Sequence, residues 1–102
     1  MEMGPIITDI TNTFDSIIMS ATSRSVALIV KSPLQSHAVN ITLNTSDTIG
    51  MEVLITTIEG DLLKRAEIKN NASGYYERVV VGIIMAYFIE NCPDINYFKG
   101  GQ

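Results

Sequence analysis

The 102 residues predict a single α+β domain: a small antiparallel sheet of two hairpins, flanked by an N-terminal and a C-terminal helix. Three observations carry that expectation. Apolar side chains near the start recur at helical spacing. The middle holds two blocks of β-branched residues, each broken by a turn. The last third contains an uncharged apolar run, Val79 to Ile89, that Pro93 closes.

Between residues 5 and 20, Ile6, Ile7, Ile10, Phe14, Ile17 and Ile18 fall three and four apart and line one face of a helix. Pro5 suits a first turn, where its missing N–H is no loss, and Asp9 lies towards the positive end of the dipole. Val26-Ala27-Leu28-Ile29-Val30 then reads as a strand buried on both faces. After the break at Ser32 to Ser36, Val39, Ile41 and Leu43 alternate with polar residues, as in a strand buried on one face.

Thr45-Ser46-Asp47 turns the chain into a second block, Val53 to Ile58, which passes through Glu59-Gly60-Asp61 into Leu62 to Ile68. Gly60 supplies the positive φ that a tight hairpin turn requires. The β-branched run favours strands, although Met51, Leu54, Ile55, Ile58, Leu62 and Ala66 also form a helical stripe behind an Asp47 cap. Ala27-Leu28-Ile29 aligns with Val53-Leu54-Ile55, and Ile41 to Asn44 echoes Ala66 to Lys69. A duplicated hairpin is one reading of these matches, and coincidence is the other.

Ser73 is the natural N-cap of the last helix, which runs to about Asn91 with Glu77 in its first turn. Residues 1–4 and 96–102 read as tails, the latter with Tyr97 and Phe98 available to dock on the domain. The Val79–Ile89 run is too short for a bilayer, which needs roughly 20 apolar residues, so its cover is protein. Tyr76, Val80, Ile83, Ile84 and Tyr87 suit a sheet, yet Val79, Val81, Met85, Phe88 and Ile89 make the other faces apolar too. The second cover is either the N-terminal helix or a partner, and Gly82 and Ala86 would let a partner's backbone approach closely.

With 46% hydrophobic and 18% charged residues, the chain holds enough apolar material for a core without metals or disulfides. The formal net charge of −4 repels phosphate backbones. Of the basic residues only Lys64, Arg65 and Lys69 cluster, and with Tyr75 and Tyr76 they make nucleic-acid association the alternative function. A lone Cys92 and an acid at Glu2 where a secretory leader carries bases fit a reduced intracellular setting. The Asn-x-Ser/Thr triplets at Asn40, Asn44 and Asn71 therefore carry no glycosylation argument.

No catalytic, metal or cofactor constellation is expected. His37 is placed in surface or turn packing. Cys92 sits at a helix C-terminus, whose dipole raises a thiol pKa. Glu59 and Asp61 are turn residues with too few companions for a calcium loop, and no serine lies in a Gly-x-Ser-x-Gly elbow. The glycines form no phosphate-binding loop.

The segment Val53 to Lys64, with its Glu59-Gly60-Asp61 turn, followed by the helix from Tyr75, resembles the opening of roadblock-type domains. That resemblance, confined to residues 53–91, implies a non-enzymatic dimerising scaffold. In overall size, isoleucine content and its one cysteine the chain also resembles small orphan proteins of filamentous viruses of hyperthermophilic archaea. That likeness implies an accessory protein in the host cytoplasm acting by protein contact. The expected function is thus a protein-protein interaction module, a homodimer with no membrane association. Its partner-binding residues are Val79, Gly82, Met85, Ala86 and Ile89 on the last helix, with Asp47, Ile49 and Met51 bordering a groove between the hairpins.

Overall fold

The computed structural model describes residues 3–31, 35–44, 49–69 and 76–91. Its elements are α1 (Gly4–Thr13), β1 (Ser16–Ala21), β2 (Ser25–Val30), β3 (His37–Leu43), β4 (Ile49–Thr57), β5 (Leu62–Lys69) and α2 (Tyr76–Asn91). The five strands pair antiparallel in chain order. The α+β architecture with one helix at each end is as the sequence predicts.

Helix α1 starts with Pro5 in its first turn and buries Ile6 and Ile10. Its threonines are accommodated because their hydroxyls donate back along the helix, Thr11 Oγ1 to the Ile7 carbonyl at 2.9 Å and Thr13 Oγ1 to the Asp9 carbonyl at 2.7 Å. Met3 and Gly4 are no tail: Met3 is in the core and Gly4 opens the helix.

The predicted N-terminal helix is too long. It ends at Thr13, and Ser16–Ala21 is a fifth strand paired with β2, from Ser16 opposite Val30 to Ala21 opposite Val26. A polar turn forces the reversal. Thr22 N donates to the Ser25 carbonyl at 2.8 Å, while Thr22 Oγ1 accepts from Arg24 N at 3.2 Å and Ser25 N at 3.0 Å. Ile17 and Ile18 continue the helical spacing of Ile10 and Phe14, which disguises the change of element.

Residues 49–57 are strand, which settles the ambiguity of the second block. At the β4–β5 turn Gly60 has φ +103°, Gly60 N donates to the Thr57 carbonyl at 3.0 Å, and Asp61 N donates to Thr57 Oγ1 at 3.0 Å. The expected role of Gly60 is therefore realised.

One face of the sheet presents Val26, Leu28, Val30, Val39, Ile41, Met51, Val53, Ile55 and Ile68 to the two helices. Phe14, at the end of α1, meets Phe88 of α2 edge-on, with ring centroids 6.0 Å apart. The other face lies outside this core, so β2 is not buried on both sides: Ala27 and Ile29 are only half-buried. This alternation also separates the aligned segments. Leu28 points into the core and its counterpart Leu54 points out, whereas Ile41 and Ala66 keep the same face. Strands β3 and β4 pair along their length, from His37 opposite Thr57 to Leu43 opposite Met51, so no groove divides the hairpins.

Candidate interaction surface

Helix α2 buries Val80, Ile84 and Phe88, a line at four-residue steps facing the core. The opposite side carries Val79, Gly82, Ala86 and Ile89, all exposed, with Val79 42% and Ile89 59% accessible. Met85 is half-buried at its margin. Arg78 and Glu90 are the exposed charged side chains beside the strip. A Cβ added at Gly82 would meet nothing within 4 Å, so no contact within the described chain calls for glycine there.

Five of the predicted partner-binding residues, Val79, Gly82, Met85, Ala86 and Ile89, thus gather on or beside one helix face, and Met51 does not join them. Met51 is wholly buried beneath the helices, because its strand position points to the core side, and it offers nothing to a partner. Ile49 lies in β4 with its backbone opposite Lys69. Asp47, like Ser73, Tyr75, Cys92, Tyr97 and Phe98, lies outside the described residues.

Alongside the strip, α2 and the edge strand β5 leave a cleft of about 360 Å³. Leu63, Lys64 and Ala66 form one wall, and Ile83, Ala86, Tyr87, Glu90 and Asn91 the other. Its walls are mixed: Leu63, Ala66, Ile83 and Ala86 are apolar, while Lys64, Glu90 and Asn91 are polar.

Folding divides the Lys64, Arg65 and Lys69 cluster, with Lys64 on the helix side of β5 and Arg65 and Lys69 on the other face. Lys64 and Arg65 are successive strand residues on opposite faces of β5. Arg65 is tied to Glu52 at 2.7 Å and reaches Glu67 at 3.4 Å on the face away from the helices. These carboxylates hold the Arg65 pKa above its usual value and offset the charge a phosphate would seek.

His37 is not a surface or turn residue. It begins β3 on the core side, 2% exposed, with its ring edge-on to Phe88 and Tyr87. Burial lowers its pKa below the usual 6.5, so it is neutral at neutral pH. Among the described residues no three His, Cys, Asp or Glu side chains converge as metal ligands. Among them, too, no helix is long and apolar enough to cross a membrane.

Sequence reasoning passed over the other exposed apolar residues: Ile17, Ile18 and Met19 on β1, and Ile58, Leu62 and Leu63 around the β4–β5 turn. The signal for β1 was the short run Ile17-Ile18-Met19 between serines, followed by the polar Thr22–Ser25 turn. Comparison with protein-family models, curated proteins and solved structures finds no match to this chain.

Proposed function

We propose that this chain is a non-enzymatic interaction module that holds a protein or peptide against the outward face of α2 and the adjoining α2–β5 cleft. One observation carries the reading: a helix already seated on its core through Val80, Ile84 and Phe88 keeps a second apolar face, Val79, Gly82, Ala86 and Ile89, turned outwards. Surface helices ordinarily place polar residues there. Gly82 adds weight, because an exposed mid-helix glycine costs about 1 kcal/mol relative to alanine, and close approach of another backbone is a physical reason to keep it.

The cleft suits an extended segment. An added strand along β5 gains backbone hydrogen bonds, while apolar side chains enter between Leu63 and Ile83. Enclosure of His37 among aromatic rings supports the non-enzymatic reading, since it leaves the imidazole no open approach for a substrate.

The test is capture of partners from the native source by the wild type, Gly82→Leu and Ile89→Asp. Both substitutions fall on exposed positions, so the circular dichroism spectrum stays close to wild type and both variants keep a cooperative melt. Loss of the captured protein in both variants is the expected result. Retention at unchanged affinity overturns the α2 surface.

A further inference from the structure

We infer that the protein held on the outward face of α2 is a second copy of this chain, with its own α2 crossing antiparallel, an assignment that rests on the α2 reading above.

Helix α2 carries two rows of residues at four-residue steps. Val80, Ile84 and Phe88 form the buried row. On the opposite side Arg78, Gly82, Ala86 and Glu90 form a second row, and all four are exposed. Rows of this kind are the ridges of the commonest helix packing, in which the ridges of two helices lie side by side at a crossing angle of about −50°. The outward ridge has a charge at each end and only small side chains between them, so a second backbone can come close at its middle. Ile83 and Met85, both half-buried, flank that middle, and Val79 and Ile89 border the two ends.

The charges select the occupant. Arg78 lies in the first turn of α2 and Glu90 in the last, so each stands at the end of the helix whose dipole disfavours it. Neither has an ion-pair partner among the described residues. A second copy crossing antiparallel supplies what both lack. A two-fold axis through the midpoint of the ridge sets Gly82 beside the partner's Ala86 and Arg78 beside the partner's Glu90, and symmetry makes each contact twice. Arg78 then also lies near the negative end of the partner helix, and Glu90 near its positive end. A parallel pair would set like charges together at both ends.

Sedimentation equilibrium at micromolar concentrations reads the result on the full chain, whose monomer is 11.2 kDa. The wild type is expected in monomer–dimer exchange. Arg78→Glu and Glu90→Arg each place like charges in both contacts and weaken the dimer on the order of tenfold, and the double substitution restores it. An equimolar mixture of the two single variants associates more tightly than either alone, because one copy then carries both acids and the other both bases. Gly82→Leu is monomeric, with a circular dichroism spectrum close to wild type. A monomeric wild type overturns the inference. So does a dimer indifferent to the single substitutions, a double variant or a mixture no tighter than the singles, or a dimer that survives Gly82→Leu. The α2 reading fails separately: a monomeric wild type that captures a protein from its native source, and loses it in Gly82→Leu, keeps that reading and removes only the second copy as occupant.

Discussion

The ring of Phe88 stands edge-on to that of His37, with centroids 5.1 Å apart and planes at 75°. His37 is also within reach of Gln35, Nε2 to Nε2 at 3.1 Å. The imidazole therefore helps hold α2 to the start of β3, and it does so in its neutral form. Burial lowers its folded pKa below the 6.5 of an exposed histidine. The unfolded chain consequently binds the proton more readily, and stability rises with pH wherever that difference operates.

The expected outcome is a loss of stability as pH falls below 6.5 towards the lower folded pKa, with no contribution from this group above 6.5. Denaturant melts between about pH 8 and pH 5 measure it. His37→Phe should flatten that part of the profile. A His37→Phe profile with the same slope as wild type would assign the effect to other groups.

Phe88 and Ile89 are sequence neighbours with opposite roles. Phe88 is 1% exposed and packs against Phe14, Tyr87 and His37. Phe88→Ala is expected to cost about 3–5 kcal/mol through lost burial and the cavity left behind. Ile89→Ala, at 59% exposure, should stay within about 0.5 kcal/mol of wild type. Chemical denaturation of the two variants measures the contrast, and equal effects would mean that α2 is rotated on the sheet.

Met51 gives a parallel test on the sheet. It is buried between β4 and the helices, so Met51→Ala should lower stability by about 2–5 kcal/mol. Partner affinity, measured where the variant remains folded, should not change. Reduced affinity in folded Met51→Ala would return this residue to the binding surface.

The elements with a clear local signature were legible in the sequence: the Gly60 turn, the alternation of Val39, Ile41 and Leu43, and the apolar α2. The β1–β2 hairpin was not, because Ile17 and Ile18 stand at helical distances from Ile10 and Phe14 and periodicity alone cannot mark where a helix yields to a strand. His37 was misplaced for a related reason. Its neighbours Gln35 and Ser36 are polar, and its burial comes from rings of α2 about 50 residues away, a contact no local pattern encodes. The outward strip of α2 was legible as apolar excess, but which of its faces meets the core is decided by packing. The cationic cluster is divided because Lys64 and Arg65, adjacent in the strand, point to opposite faces and Glu52 on the neighbouring strand claims Arg65.

The same substitution should act with opposite sign at two glycines. A Cβ meets nothing within 4 Å at either Gly60 or Gly82, so space does not distinguish them. Backbone conformation does. Gly60 has φ +103°, a region that side-chain-bearing residues enter only with strain, and Gly60→Ala is expected to destabilise by roughly 1–2 kcal/mol. Gly82 lies within α2, where alanine is favoured over glycine by about 1 kcal/mol, so Gly82→Ala should raise the stability of the isolated protein. Thermal melts of the two variants decide the matter. A destabilised Gly82→Ala monomer would mean that the chain itself needs the glycine, and the case for an outside partner at that point would lose its support.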